Sequence, residues 1–100
     1  MFGKKAILSK IQENAKQITK LGVKRIAIFG SFVKGTHRKD SDIDILVVFE
    51  EGKTTFDNYM DLKFFLEDLF KNKIDLVVED SLKPRLKPYI LKEAIYAKGL

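Results

Sequence analysis

Apolar residues recur every three or four positions near the start of the chain, a spacing typical of an amphipathic helix. Lysine, glutamine and glutamate fill the positions between them, and a glycine, Gly22, follows as a helix stop. These features predict a first helix over residues 4–21. Its apolar positions are Ile7, Ile11, Ala15, Ile18 and Leu21.

Two further helices are predicted in the second half of the chain. The apolar spacing over residues 56–71 predicts one, and Thr54 or Thr55 is placed to cap it. The last lies over residues 88–97, with Pro88 in its first turn, where proline is tolerated.

Three short apolar runs rich in β-branched residues predict strands. They cover residues 23–29, 42–49 and 73–79. The segment between the first two, residues 30–41, contains glycine, serine and several charged residues, which predicts a turn with one short helical turn. Because this connection is short, the first two strands are expected to pair antiparallel.

The order α-β-turn-β-α-β-α predicts an α/β (α+β) fold, with one domain over residues 1–100. Helices would cover mainly one face of a small mixed sheet of three or four strands. The other face would stay open, and functional side chains are expected there.

Composition excludes several classes of protein. The chain has 100 residues and no cysteine, so disulfides and cysteine-based zinc sites are excluded. The apolar runs are too short to span a bilayer, and the first residues lack the apolar stretch of a signal peptide. We therefore expect a soluble cytoplasmic protein with no membrane contact.

The net charge of +5 conceals an uneven distribution. Residues 1–41 carry a net charge of +8, residues 42–82 carry −7, and residues 83–100 carry +4. Basic segments around an acidic middle suit a site where cations hold a polyphosphate and carboxylates hold metal ions. Contact with RNA or an acidic partner is a secondary possibility that charge alone does not decide.

Three aspartates carry the clearest chemical signal. Asp42 and Asp44 are two apart at the start of a strand, so they share one face. Asp75 joins them if the third strand lies beside the second. Clustered carboxylates repel one another unless a divalent cation is present, and hard oxygen ligands favour Mg²⁺ or Mn²⁺. The aspartates thus predict a two-metal site for phosphoryl or nucleotidyl transfer.

Gly30 and Ser31 would supply the nucleotide-binding half of such a site. Glycine lets the backbone approach a phosphate closely, and Ser31 offers a hydroxyl and an amide. A short helical turn beginning here would point its amides at the phosphates. Lys34 and Arg38 lie close enough in sequence to neutralise phosphate charge.

The same aspartates imitate a calcium-binding EF-hand loop. Asp40, Asp42 and Asp44 alternate, and Glu51 falls at the twelfth position. Ile45, however, stands where the loop needs glycine, and strand-forming residues follow it. The single histidine, His37, could act as a base, but a solvent-exposed loop position is the stronger expectation.

The pattern Gly-Ser, ten residues, Asp-x-Asp and an apolar strand resembles the nucleotidyltransferase superfamily of DNA polymerase β. The length and layout look like its smallest branch, the minimal nucleotidyltransferases (MntA-like antitoxins), and the resemblance covers nearly the whole chain. It implies that Asp42, Asp44 and Asp75 hold two Mg²⁺ ions. Gly30 and Ser31 would hold ATP, and Asp75 would also help deprotonate the acceptor hydroxyl. Members often have arginine where this chain has Lys34.

The resemblance also implies a partner. Minimal nucleotidyltransferases are commonly paired with a HEPN-domain toxin and transfer AMP from ATP to one of its tyrosines, within a hetero-oligomer. The alternative is an inactive binding module that neutralises its partner, or contacts RNA, by binding alone.

Overall fold

The computed structural model describes residues 3–100, which form five helices and four strands. A one-turn 3-10 helix, Glu79–Ser81, follows the third strand. In chain order the elements are α1 (Lys4–Glu13), α2 (Ala15–Lys20), β1 (Val23–Phe29), α3 (Ser31–Lys34), β2 (Ile43–Phe49), α4 (Phe56–Phe70), β3 (Ile74–Val78), α5 (Lys87–Glu93) and β4 (Ile95–Tyr96).

The four strands form one mixed sheet in the order β3-β2-β1-β4. β1 pairs antiparallel with β2, as the short connection predicted, and also antiparallel with β4. β2 and β3 are parallel, joined by the crossover helix α4. The sequence-based prediction of a small mixed α+β sheet is confirmed.

One face of the sheet carries the hydrophobic core. Ile43, Ile45 and Val47 of β2 are fully buried there, together with side chains from the helices such as Ile11 and Leu66. Each such side chain contributes about 1.5–3 kcal/mol when removed from water. This face fixes the register of β2, because a shift by one residue would turn the isoleucines to the other side.

The crossover helix α4 matches its prediction closely. It begins after Thr55, whose Oγ1 accepts a hydrogen bond from the amide of Asn58 at 3.1 Å. The hydroxyl of Tyr59 donates to the carbonyl of Leu76 at 2.5 Å, which ties the helix to β3. No helix within residues 3–100 has the length and hydropathy needed to cross a membrane.

The single helix predicted over residues 4–21 is wrong in one respect, because it is divided at Asn14. There the backbone leaves helical geometry (φ −109°, ψ 20°), and the Asn14 side chain donates to the carbonyl of Lys10 at 2.8 Å. Asparagine favours such local bonds over continued helix. The predicted end at Gly22 is correct, since Gly22 has φ +88°.

The final helix predicted over residues 88–97 is also shorter than expected. It ends at Glu93, Ala94 is extended (φ −63°, ψ 139°), and Ile95 and Tyr96 form β4. The pairing of these two residues with Ile28 and Ala27 of β1 explains the change, because sheet bonds replace the last turn of helix.

Candidate active site

The strand register brings two of the predicted carboxylates together. Asp44 on β2 lies directly opposite Asp75 on the parallel neighbour β3. β2 begins at Ile43 rather than at the predicted residue 42, so Asp42 lies just before the strand, where it is exposed. Asp42 still interacts electrostatically with Asp44. All three carboxylates therefore lie at the end of the sheet where β2 and β3 begin.

Asp44 is the most perturbed acid of this group. Its pKa is raised from 3.8 to about 6, first by burial, then by the charge of Asp75 and a hydrogen bond with it, and then by Asp42. The backbone amide of Ser31 opposes this by donating to the carboxylate. Without a cation, Asp44 thus resists ionisation, as expected for an acid held among other acids.

These residues fit a divalent cation. Half-buried Asp44 and exposed Asp75 offer hard oxygen atoms whose mutual repulsion a metal ion would relieve. Within residues 3–100, no three acidic or histidine side chains already stand in the arrangement of a metal site. The cluster therefore has oxygen donors that suit Mg²⁺. Within residues 3–100, however, three such side chains do not converge on one position in the structure.

The raised pKa of Asp44 gives a pH dependence to the stability of the metal-free protein. Between about pH 4 and pH 6 the folded state keeps a proton on Asp44 that the unfolded chain has released. The resulting stabilisation is complete below pH 4 and is lost as the pH rises through 6. We expect a loss of about 1 kcal/mol, after discounting for the solvent exposure of this side chain.

Thermal unfolding in EDTA across this pH range measures the effect. The Asp44→Asn variant serves as the control, because it lacks the titrating group and shares all the others. The melting temperature of the wild-type protein should fall relative to that of the variant between pH 4 and pH 7. A constant difference would contradict the raised pKa.

Gly30 shapes the turn between β1 and α3. Its backbone conformation (φ 74°, ψ −147°) is one that only glycine adopts readily. A Cβ atom at this position would lie 2.0 Å from Oδ2 of Asp44 and 2.9 Å from its Cγ. Glycine is thus required twice, once for the conformation and once for the approach of Asp44.

The first two amides of this turn already donate to carboxylates. The Gly30 amide donates to Oε1 of Glu93 at 3.0 Å, and the Ser31 amide donates to Asp44. The short helical turn after Gly30 was predicted correctly, and it covers Ser31–Lys34. In this structure the leading two amides hold the turn against the carboxylates, and the predicted contact of Gly30 and Ser31 with phosphates stays a prediction. The Ser31 hydroxyl remains a prediction for phosphate contact.

The predicted cations lie on the exposed side of the same turn. Lys34 is exposed and its Nζ lies 3.4 Å from Oε2 of Glu93. Arg38 is also exposed; its amide donates to Oγ of Ser41 at 2.7 Å. Among residues 3–100 its guanidinium has no ion-pair partner. Both side chains are available to an incoming polyanion, and their roles stay predictions.

His37 differs from the expected exposed loop residue. Its ring stacks on Phe32 with the ring centres 4.1 Å apart and the planes at 11°. Nδ1 is buried and makes no hydrogen bond. Since Phe32 is the buried residue of α3, the stacked His37 ring packs against the side chain that anchors this helix.

The EF-hand alternative is incompatible with the backbone. Ile45 and its neighbours in β2 pair with β1, so the chain is extended where a calcium loop would turn. Ile45 is also fully buried in the core.

The carboxylate face is more covered than predicted. Ala27 and Leu46, which are paired with each other on this face, are completely buried. The hydroxyl of Tyr96 on β4 donates to Oε1 of Glu79, which follows β3, at 2.8 Å. This bond joins the two edges of the sheet, and burial and the bond to Glu79 raise the pKa of Tyr96. Arg25 lies over the Tyr96 ring at 5.4 Å.

Three neighbours of the site, Glu79, Glu93 and Tyr96, were not predicted from the sequence. Glu93 lies 63 residues from Gly30, and no local spacing signals so distant a contact. The one available signal was its position as the single acidic residue among the basic residues of 83–100.

A mixed sheet with clustered aspartates at one end and a glycine-serine turn beside them defines a nucleotidyltransferase of the DNA polymerase β fold. The sequence model of the nucleotidyltransferase domain matches residues 8–97. This chain belongs to that family. The family and fold expected from the sequence are thereby confirmed.

Individual relatives agree with this assignment. The protein adenylyltransferase MntA of Thermococcus cleftensis is 40% identical over 77 residues, which cover 77% of this chain and 77% of the relative. A solved chain assigned to the minimal nucleotidyltransferases superposes with a TM-score of 0.81 at 36% identity, covering 94% of this chain and 95% of the other. A chain from a toxin–antitoxin crystal structure with AMP-PNP has a TM-score of 0.66 at 26% identity. The match covers 87% of this chain and 74% of the other.

Proposed function

We propose that this protein is the antitoxin of a toxin–antitoxin pair and transfers AMP from ATP to a tyrosine of a HEPN-domain toxin. The observation that carries the proposal is the register of Asp44 against Asp75 beside the glycine-serine turn. The relative named as a protein adenylyltransferase and the related toxin–antitoxin structure containing an ATP analogue support the same activity.

Asp42, Asp44 and Asp75 would hold two Mg²⁺ ions. When bound, such ions neutralise the charge of the triphosphate and of the leaving pyrophosphate. The raised pKa of Asp44 supports this role, because a bound cation would favour its ionised form. Ser31 would bind a phosphate oxygen through its hydroxyl, while Lys34 and Arg38 would attract the polyanion from the exposed side.

The transfer itself exchanges one bond for another. The tyrosine oxygen forms a bond to the α-phosphorus of ATP, and the bond from that phosphorus to the β-phosphate oxygen breaks. Asp75 accepts the proton of the tyrosine hydroxyl, and pyrophosphate leaves. Asp75 suits this task because it is the exposed member of the opposed pair, where a hydroxyl from another protein can reach it.

Labelled ATP tests the proposed transfer. The chain is co-purified with its HEPN-class partner and given ATP labelled at the α-phosphate or, separately, at the γ-phosphate. We expect label in the partner from the α-phosphate alone, and none in the presence of EDTA. The modified residue should be tyrosine by mass spectrometry.

Two other outcomes would contradict adenylyl transfer. Label from the γ-phosphate would indicate phosphoryl transfer instead. No label, together with full neutralisation of the partner, would establish the alternative of an antitoxin that acts by binding alone.

A further inference from the structure

We propose that Glu93 is a positioning residue for the turn that meets the nucleotide. Its carboxylate holds the Gly30 amide in one orientation and keeps Lys34 beside the turn. The inference rests on the proposed function, because it assigns Glu93 a part in nucleotide binding without contact with the nucleotide.

The two oxygens of Glu93 have different partners. Oε1 accepts the Gly30 amide at 3.0 Å, and Oε2 lies 3.4 Å from Nζ of Lys34. The Glu93 side chain is 25% exposed, whereas that of Lys34 is 60% exposed. A hydrogen bond between an amide and a partly buried carboxylate is stronger than an ion pair with a solvated lysine. Of the two contacts of Glu93, the hydrogen bond to the Gly30 amide is therefore the stronger.

Gly30 needs such a restraint more than any other residue of the turn. Glycine has the greatest backbone freedom, and Gly30 lies in a conformation remote from both the strand before it and the helix after it. The next amide, that of Ser31, donates to Asp44. A rotation of the Gly30 peptide would thus move both the Ser31 hydroxyl and the Ser31 amide, which donates to the proposed metal ligand Asp44.

Docking of the C-terminal segment does not depend on Glu93. β4 begins two residues after Glu93 and pairs with Ala27 and Ile28, and the amide of Ala97 donates to the carbonyl of Ile26 at 2.9 Å. These bonds join the segment to β1, the strand that ends at Phe29, directly before Gly30. Glu93 is consequently free to serve the turn, and its loss should leave the sheet intact.

Two substitutions separate positioning from charge. Glu93→Gln keeps an oxygen that accepts the Gly30 amide and removes the charge that faces Lys34. Glu93→Ala removes both interactions. Lys92→Ala, at an exposed neighbour on the same helix, is the matched control.

The first readout is amide hydrogen exchange of the nucleotide-free protein, and the second is the affinity for ATP with Mg²⁺. In Glu93→Ala we expect exchange at Gly30 to accelerate at least tenfold, while β1 and β4 keep their protection. ATP affinity should fall about tenfold, the equivalent of one lost charge-assisted hydrogen bond. Glu93→Gln should bind ATP within about threefold of wild type, since the amide bond remains.

Each contrary result overturns the inference. Unchanged exchange at Gly30 in Glu93→Ala would show that Glu93 does not hold the turn. Tighter ATP binding would show that it competes with the phosphates. Equal losses in both variants would show that charge matters rather than the Gly30 bond, and loss of protection across β4 would reduce Glu93 to a general structural role. If the wild-type protein binds no ATP, the proposed function fails, while hydrogen exchange still decides whether Glu93 positions Gly30.

Discussion

Substitution of Asp44 by asparagine is expected to reduce nucleotidyl transfer at least about 1,000-fold, because a neutral amide cannot balance metal charge in the transition state. The same change should stabilise the metal-free protein. Asp44 is half-buried and lies opposite Asp75, so the two carboxylates repel each other. Asparagine removes this repulsion, and its amide oxygen still accepts the hydrogen bond from the Ser31 amide. The gain at neutral pH should be about 1 kcal/mol, or a rise of about 4 °C in melting temperature.

Opposite signs for activity and stability distinguish a functional carboxylate from a structural one. Asp40→Asn is the matched control, since Asp40 is an exposed acid four residues earlier and outside the cluster. It should alter neither quantity. Addition of Mg²⁺ should raise the melting temperature of the wild-type protein and leave that of Asp44→Asn nearly unchanged. A variant that retains activity within tenfold, or that melts well below wild type, would exclude the assigned role of Asp44.

Substitution of Gly30 by alanine should have the largest effect on stability. The backbone conformation of Gly30, with a positive φ and an extended ψ, costs about 1–3 kcal/mol for a residue with a side chain. The added Cβ would also lie 2.0 Å from Oδ2 of Asp44, so either the carboxylate or the turn must move. We expect a loss of about 3 kcal/mol or more in the free energy of unfolding, together with loss of ATP binding.

Gly35→Ala gives the cost of a positive φ without a close approach. Gly35 has a φ of 75° in the left-handed helical region, unlike Gly30, and a Cβ there would have no atom within 4 Å. Its substitution should cost only about 1–2 kcal/mol. The double variant Gly30→Ala with Asp44→Ala lacks the carboxylate that the new Cβ meets, so it should recover part of the stability. Urea denaturation of these three variants and of the single variant Asp44→Ala measures these differences, and strictly additive losses in the double variant would refute the close approach.

The main strands and the crossover helix were predictable because each has a strong local pattern. Apolar runs rich in β-branched residues define β1 and β2, with Gly30 directly after β1, and the helical spacing with Thr55 in front defines α4. The break at Asn14 was hidden, since Ile11 and Ile18 continue the helical spacing across it. β4 was missed because Ile95 and Tyr96 become a strand only through their pairing with β1.

The candidate site was predictable in its parts but incomplete in its connections. The positions of Asp44 and Asp75 follow from strand alternation once β2 and β3 are neighbours. Glu93 could not be found in this way, because its partner Gly30 lies 63 residues away along the chain. Burial of Leu46 on the carboxylate face was equally unpredictable, since the segment after β3 that lies against β2 has no local signal for that position.

The bond between Gly30 and Glu93 affects the order in which the two halves of the candidate site form during translation. A chain emerges from the ribosome with its N-terminus first. All three aspartates are synthesised before residue 93, so the carboxylate cluster can form while the turn beside it still lacks its restraint. The nascent protein should therefore acquire its metal-binding groups first and its rigid nucleotide-binding turn last, once α5 and β4 have reached the sheet.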